Sequence, residues 1–338
     1  MRSLQVHGFD GLASWQLAEL PAPEPAAGEV QVRVDANAIS YVDLLMARGR
    51  YQVKPALPFV PGTEFCGVVT QCGAGVPDAL RTGTRVTGTV FGGAWAEVVC
   101  APASAVCPVA IDADAGAAAA LPVTFATAVY ALHERARLRD GERVLVLGAA
   151  GGVGLAAVQT AKALGAWVVG VATGAAKCAA VREAGADAVV DMAAPDWAAQ
   201  VKALSDGGVD VVLDPVGGRA TDPAFRTLRW GGRHLVVGFA EGAIAELRTN
   251  LPLLKGASLV GVDVRQFRER EPEASLANLV LTVDLFARGL LCPRVAARVP
   301  AADWPHAIAA AEDRLTTGRV VLDWTAAVAE PETNAHDA

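Results

Sequence analysis

The chain has 338 residues, of which 53% are hydrophobic and 19% are charged, a composition that can build two domains with large buried cores. Its net charge of −7 and pI near 5.3 argue against nucleic acid and anionic membrane surfaces as partners. No run of about 18 apolar residues lacks charged or turn residues, so no membrane span is predicted. The N-terminus has no apolar signal core, and the six cysteines form no Cys-x-x-Cys pair. These features predict a cytoplasmic protein with reduced thiols.

The first third of the chain has the pattern of short β-strands separated by glycine turns. Residues 29–35 alternate strictly, with Val30, Val32 and Val34 on one face, as in a half-buried strand. Shorter strand-like runs follow at 64–70, 84–90 and 95–101. Many short strands with glycine turns predict a small barrel-like sheet.

After Pro122, apolar strands alternate with helical segments. The predicted strands are 144–147, 167–172, 188–190, 209–213, 233–237 and 259–264. The helices predicted between them are 153–164, 175–184, 197–204 and 222–230. This alternation, with continuously apolar strands, is typical of a parallel sheet covered on both faces. Six such strands fit a doubly wound dinucleotide-binding fold.

The last part of the chain returns to short elements. The pattern predicts a helix at 274–288, a strand at 294–299, a helix at 305–315 and a strand at 319–324. We expect the last strands to rejoin the first domain. The polar tail over 330–338 is expected to be disordered.

The glycine-rich turn after the strand at 144–147 is the strongest functional signal. It comprises Gly148, Ala149, Ala150, Gly151, Gly152, Val153 and Gly154. Ala149 (where the usual fingerprint has its first glycine) and Gly151 let the backbone approach phosphates, and Gly154 lets the following helix pack closely. The N–H groups and positive dipole end of that helix then face an anion. A plain structural turn is the alternative, but the flanking strand and helix favour a dinucleotide site with contacts from Ala149 to Gly154.

Several collinear segments make the chain resemble a known family. They are 25–34, 48–55, 57–64, 119–132, 144–163, 210–218 and 231–239. In them the chain resembles the zinc-independent NADPH:quinone oxidoreductases of the medium-chain dehydrogenase/reductase superfamily, the relatives of zeta-crystallin. The resemblance implies an α/β protein with a GroES-like β-barrel catalytic domain and a Rossmann domain that binds NADPH. The expected division is a catalytic domain over 1–122, a Rossmann domain over 123–266, a return to the catalytic domain over 267–328 and a disordered tail over 329–338.

The resemblance also bears on metal chemistry. It places Ser40, Thr63 and Thr124 at the positions where zinc alcohol dehydrogenases of the superfamily hold catalytic zinc. Neutral hydroxyls are poor ligands beside thiolate and imidazole, so no metal site is expected. Without a Lewis acid, reduction of a conjugated acceptor is a better fit than direct alcohol oxidation. A quinone or enone delocalises the charge that arrives with a hydride.

The second strand of the Rossmann pattern bears on the choice of nicotinamide cofactor. It ends without the acidic residue that binds the ribose 2′-OH in NAD-specific folds. Thr173 and Gly174 follow it, and Lys177 stands where the resemblance implies a phosphate-binding lysine. These residues predict a preference for NADPH. One departure opposes it, because Asp191 and Met192 stand where many relatives carry a tyrosine, and Asp191 would repel phosphate if it pointed inward.

Further cofactor contacts are implied by position at strand ends and by the resemblance. They are Thr127, Asp214, Pro215, Val216, Gly238, Phe239, Ala240 and Asn250. For each, a simple turn or packing role is the alternative.

Tyr51 is the best polar candidate near the acceptor, because the resemblance implies a tyrosine beside the substrate. A phenol can donate a proton or hydrogen bond to a developing enolate. Tyr41 and Ser40 lie where relatives place an aromatic residue and an asparagine near the nicotinamide. A rim position for Tyr51, with water as the proton donor, is the alternative.

The favoured function is a zinc-free NADPH oxidoreductase that acts on quinones or other α,β-unsaturated carbonyls. An enoyl-thioester reductase is the nearer alternative, and a non-catalytic NADPH-binding protein like the lens crystallins is the more distant one. The apolar strand at 259–264 predicts a homodimer built edge to edge, an arrangement that the resemblance also implies.

Overall fold

Two large sheets organise the protein, and the chain leaves the first sheet, builds the second and returns. The computed structural model describes residues 1–313 and 315–326, so the predicted disordered tail lies outside the described residues. In chain order the strands are β1 (Arg2–Val6), β2 (Trp15–Glu19), β3 (Glu29–Ala38), β4 (Glu64–Cys72), β5 (Arg85–Thr89), β6 (Val98–Pro102), β7 (Val106–Pro108), β8 (Arg143–Val146), β9 (Trp167–Ala172), β10 (Ala188–Asp191), β11 (Val209–Asp214), β12 (Leu228–Val236), β13 (Ser258–Gly261), β14 (Val295–Pro300) and β15 (Arg319–Asp323).

The helices cover the sheets and connect them. They are α1 (Tyr41–Ala47), α2 (Ala115–Ala119), α3 (Ala126–Val129), α4 (Gly152–Ala163), α5 (Ala175–Glu183), α6 (Trp197–Leu204), α7 (Thr221–Arg226), α8 (Asn250–Lys255), α9 (Val264–Arg270), α10 (Pro272–Ala287) and α11 (Trp304–Glu312).

The seven-stranded sheet is built around β3. Its order is β14-β15-β3-β4-β5-β7, with β6 also paired to β3. The predicted alternation holds at its start, where Val30, Val32 and Val34 are buried in one apolar core. The pairing of β15 with β3, at Val321 and Ala38, returns the end of the chain to this sheet as expected.

The six-stranded sheet is parallel, in the order β10-β9-β8-β11-β12-β13. This is the strand order of dinucleotide-binding folds. The central strands β8, β9 and β11 are apolar on both sides, because helices cover both faces of the sheet. On β8, Val144 and Val146 face one core, whereas Leu145 and Leu147 face the other. The predicted combination of a barrel-like sheet with a doubly wound parallel sheet is therefore confirmed.

Several predicted boundaries were wrong, and local features explain two of them. The helix predicted at 222–230 ends at Arg226, because Leu228 is buried and pairs with Val209 at the start of β12. The strand predicted at 259–264 ends at Gly261, because the Asp263 side chain accepts from the N–H of Gln266 and caps α9. The helix predicted at 305–315 ends at Glu312.

A long helical segment, Ala115–Arg135, leads from the first sheet to the second and joins α2 to α3. It is long and apolar enough to cross a membrane by length and composition, but 83% of its apolar window is buried inside the fold. It is therefore a core helix of this protein. It carries Thr124 and Thr127 into the space between the two sheets.

Candidate active site

A cleft of about 1570 Å³ lies between the two sheets. One wall is formed by the carboxyl ends of the parallel strands, where ligands bind in doubly wound folds. The other wall is formed by α1, the segment that starts β4, and the core helix Ala115–Arg135, while α9 closes the side. Most of the predicted site residues lie in this one cleft.

The glycine turn has the geometry that the sequence predicts. Gly148 has a positive φ of 55°, and a side chain there would meet Val216 Cγ2 at 2.8 Å. The N–H of Gly151 donates to the Gly148 carbonyl at 2.9 Å, and α4 then begins at Gly152. A Cβ on Gly154 would lie 2.2 Å from the Gly148 carbonyl oxygen. The free N–H groups at the start of α4 therefore open into the cleft, as a pyrophosphate site requires.

The predicted cofactor residues divide into two groups. Those that line the cleft are Thr127, Ala150, Gly151, Gly152, Val153, Gly154, Thr173, Lys177, Pro215, Val216, Gly238, Phe239 and Ala240. Those that the structure does not place on its wall are Ala149, Gly174, Asp214 and Asn250.

Each of the four has a different local environment. Ala149 is fully buried. Its N–H donates to the Val171 carbonyl, and this bond holds its side chain against Gly170 of β9. Asn250 is exposed at the start of α8. Gly174 donates its N–H to the carboxylate of Asp191.

Asp214 holds the turn that follows β11 without facing the cleft. Its Oδ1 accepts from the N–H groups of Val216 and Gly217, and its Oδ2 accepts from Thr221 at 2.7 Å. His234 Nε2 lies 3.1 Å from the same Oδ2. Although burial acts to raise the pKa of Asp214, these partners lower it below its ordinary value. Asp214 therefore fixes the backbone at Pro215 and Val216, which do line the cleft.

Three hydroxyls lie on the wall of the cleft, and that of Thr124 belongs to a side chain packed beside Gly152 of the glycine turn. Ser40, Thr63 and Thr124 all line the cleft, and Ser40 Oγ lies 3.3 Å from Thr63 Oγ1. Ser40 also begins α1 through a reciprocal cap with Asp43. Within residues 1–313 and 315–326, no group of three or more His, Cys, Asp or Glu side chains is arranged to hold a metal. These neutral oxygens do not fit the donor set of a catalytic zinc.

Glu64 and Asp43 lie behind this wall, and both are fully buried. Arg319 donates to Glu64 Oε1, and the N–H of Val123 donates to Oε2 at 2.9 Å. Burial raises the pKa of Glu64 to about 7, although the charge of Arg319 opposes the shift. Burial also raises the pKa of Asp43 against its hydrogen bonds with Ser40. Sequence reasoning missed this cluster, whose members lie far apart in the chain.

Aromatic side chains line the cleft beside the hydroxyls. The three tyrosines of the sequence, Tyr41, Tyr51 and Tyr130, all lie there. Tyr41 is 63% exposed, and the Tyr51 ring lies 6.4 Å from that of Phe91, centroid to centroid. Exposed aromatic faces around a cleft suit a planar, apolar ligand. The structure thus brings together the predicted catalytic residues Tyr51, Tyr41 and Ser40.

Arg268 is a second site residue that sequence reasoning missed. It lies on α9, lines the cleft and donates to the Pro122 carbonyl at 2.6 Å. Burial lowers the pKa of this guanidinium, while Glu64 and Tyr51 oppose the shift. The positive charge of Arg268 therefore interacts electrostatically with Tyr51. The arginines of α9 alternate with glutamates, a pattern typical of a solvated helix. Nothing in the sequence therefore indicated that Arg268 lines the cleft.

Comparison with known proteins agrees with this architecture. A family model described as alcohol dehydrogenase GroES-like domain matches residues 26–111, and one described as zinc-binding dehydrogenase matches 152–280. The first match confirms the predicted GroES-like domain. The zinc-binding dehydrogenase model covers only residues 152–280, so its match does not include Ser40, Thr63 or Thr124.

Relatives match along nearly the whole chain. Quinone oxidoreductase-like protein 2 of Rattus norvegicus is 35% identical over 305 residues, which cover 89% of this chain and 87% of the relative. A mycobacterial quinone oxidoreductase structure has a TM-score of 0.88 at 31% identity and covers 96% of this chain and 99% of the other. The quinone oxidoreductase of Thermus thermophilus, described together with its NADPH complex, has a TM-score of 0.83 at 32% identity and covers 96% and 100%.

Proposed function

Because the chain belongs to the quinone oxidoreductase-like family of the medium-chain dehydrogenase/reductase superfamily, we propose that it is a zinc-free, NADPH-dependent reductase of quinones or other α,β-unsaturated carbonyls. The observation that carries this proposal is the composition of one cleft. A glycine turn and Lys177 line the same cleft as tyrosines and neutral hydroxyls.

The cofactor side supports NADPH. The N-terminus of α4 opens into the cleft next to Gly151 and Gly152, where a pyrophosphate is neutralised by N–H groups and the helix dipole. Thr173 and Lys177 line the same cleft beyond the end of β9, in position for a 2′-phosphate. The relative from Thermus thermophilus, which is described with NADPH bound, supports the same cofactor here.

The acceptor side supports reduction of a conjugated carbonyl. Bound NADPH would supply a hydride to the acceptor carbon. The acceptor oxygen then gains negative charge, and Tyr51 and Ser40 are two of the hydroxyls that line the cleft. We propose that Tyr51 donates a proton to that oxygen and that Ser40 donates a hydrogen bond to it. Tyr41 and Phe91 would hold the plane of the acceptor and exclude water from it.

A second candidate is an enoyl-thioester substrate, which one observation favours. The anionic carrier of such a substrate requires a basic cleft, and α9 places Arg265, Arg268 and Arg270 along its side. Glu269 pairs with Arg265, which reduces the field of the group. Carriers with phosphate groups therefore belong in the acceptor panel.

An acceptor screen tests the proposal. NADPH absorbance is followed over quinones, enones, enals and enoyl thioesters with the purified protein. We expect turnover of a quinone or enone with one NADPH consumed per two-electron reduction. NADPH binding without consumption over the whole panel would replace this proposal with a non-catalytic binding protein.

A further inference from the structure

A carboxylate from a neighbouring strand lies beside the end of the cleft where the adenosine is expected to bind. In NAD-binding folds an acidic residue at the end of the second strand accepts from the ribose 2′-OH. Here that strand, β9, ends at Ala172 without one. The adjacent strand β10 ends at Asp191, which is in register with Ala172.

The Asp191 side chain reaches across to the end of β9. Its two carboxylate oxygens each lie 3.3 Å from the backbone nitrogen of Gly174, and Oδ1 also accepts from the N–H of Ala193 at 2.9 Å. Gly174 has a φ of 89° and directly precedes α5. The carboxylate thus occupies the N–H group that the sequence assigned to a phosphate.

Asp191 is not itself on the wall of the cleft, but residues that adjoin Asp191 and Gly174 are. Thr173, Lys177 and Met192 all line the cleft. The charge of Asp191 also acts on α5, because it adds to burial in raising the pKa of the Cys178 thiol. A 2′-phosphate here would therefore meet Lys177 and Asp191 together, one attractive and one repulsive.

We propose that Asp191 is the ribose-recognising acid of this site, and that the protein accepts NADH as well as NADPH. This inference rests on the proposed function only in needing a nicotinamide dinucleotide in the cleft. A ribose 2′-OH donates to the carboxylate, which favours NADH. A 2′-phosphate gains Lys177 but meets like charge at Asp191, so the two cofactors differ little in affinity.

Calorimetric titration with ADP-ribose and 2′-phospho-ADP-ribose tests this directly, because neither ligand carries a nicotinamide. In the parent protein we expect the two dissociation constants to lie within about tenfold of each other. Asp191→Asn keeps an acceptor for Gly174 and removes the charge. It should tighten the phosphorylated ligand about tenfold and weaken ADP-ribose severalfold. Lys177→Ala should shift the preference the other way.

Asp196→Asn is the matched control, because it removes the same charge from an exposed position close by in the chain. It should change neither constant. An Asp191→Asn protein that melts normally and binds both ligands as the parent does, or changes both by one factor, would overturn the proposal. If the parent binds neither ligand, the cofactor site itself is refuted. If the ligands bind and Asp191→Asn changes the preference while no acceptor is reduced, the proposed function fails and this inference stands.

Discussion

The two sides of the cleft recognise their ligands by different means. The cofactor side is largely one continuous stretch, in which Gly148, Gly151 and Gly154 place backbone N–H groups at the start of α4. The acceptor side is assembled from side chains on distant segments, including Tyr51, Arg268 and the hydroxyls of α1 and β4. Ligand binding on the cofactor side is expected to depend on close packing of the backbone. On the acceptor side it is expected to depend on which side chains face the cleft.

The electrostatics of the two sides differ as well. On the cofactor side, we propose that helix N–H groups that have no partner within the helix neutralise an anion. The acceptor side keeps Glu64 and Asp43 fully buried behind neutral hydroxyls, which costs free energy unless each charge is paired or protonated. We therefore propose that the cofactor side determines which reaction is possible, whereas the acceptor side determines which molecule is reduced.

The largest effect is expected on the acceptor side, from Tyr51→Phe. If Tyr51 protonates the reduced acceptor, enone turnover should fall about 10²–10⁴-fold. Quinone turnover should change little, because a hydroquinone anion is stable enough to take its proton from water. Steady-state kcat on one enone and one quinone measures the difference.

Tyr41→Phe is the matched control, since Tyr41 lines the same cleft but is largely exposed. NADPH affinity should be unchanged in both variants. Equal enone and quinone rates in Tyr51→Phe and the parent would make Tyr51 a wall residue and leave water as the proton donor.

The same contrast explains what could be predicted from the sequence. The glycine turn, the six parallel strands and the return of the last strands could be predicted, because local spacing determines them. Arg268 and Arg319 could not, since they reach the acceptor side only through tertiary packing of the last elements. Asn250 was carried over from the resemblance alone, and the structure leaves it exposed on α8.

Glu64 provides a pH test of the buried acceptor side. Its pKa rises from an ordinary 4.5 to about 7 on burial, so the folded state holds the proton more tightly than the unfolded state. Its contribution to the free energy of unfolding is complete below pH 4.5 and is lost as the pH rises through about 7. The loss should be about 3 kcal/mol.

Urea unfolding of the parent and Glu64→Gln at several pH values between 4.5 and 7.5 measures this contribution. The parent should lose stability relative to Glu64→Gln as the pH rises, because the amide does not titrate. Glu24→Gln, at an exposed position, should run parallel to the parent. A pH-independent difference between the parent and Glu64→Gln would show that Glu64 is ionised throughout.

Close backbone packing on the cofactor side predicts a difference between two glycines. A Cβ on Gly154 would lie 2.2 Å from the Gly148 carbonyl oxygen and 2.7 Å from Ala149 Cα, whereas a Cβ on Gly151 meets only that oxygen, at 3.3 Å. Gly154→Ala should therefore destabilise the fold by about 1–3 kcal/mol and weaken NADPH binding. Gly151→Ala should weaken NADPH binding with little change in Tm. Equal Tm losses in the two variants would contradict this account of the turn.

The outer edge of the cofactor sheet predicts assembly. In the described sheet β13 is the last strand, and Leu259 on it is 51% exposed; Trp230 on β12 and Leu253 on α8 are 80% and 77% exposed. An unpaired apolar edge favours pairing with a second copy. We predict a homodimer by light scattering at micromolar concentration, and a shift to monomer in Leu259→Lys with unchanged NADPH binding. A monomeric parent would refute the edge-to-edge arrangement.

The smallest effect is expected from removing metal ions, which tests the hydroxyl wall directly. Thr124 Oγ1 donates to the Ala120 carbonyl at 2.8 Å, and Ser40 Oγ accepts from the N–H of Asp43 at 3.0 Å. Two carboxylates lie beside these hydroxyls: Asp43, whose Oδ2 accepts from the N–H of Ser40 at 2.8 Å, and Glu64, which accepts from Arg319 and Val123. A divalent zinc ion bound to Ser40, Thr63 and Thr124 would have to displace hydrogen-bond partners of these residues, and their neutral hydroxyls bind zinc poorly beside thiolate or imidazole. Dialysis against a strong chelator should therefore leave quinone reduction unchanged, with elemental analysis run on the same sample. Stoichiometric zinc that leaves together with activity would show that the acceptor side works by Lewis-acid chemistry, and Tyr51 would then lose its assigned role.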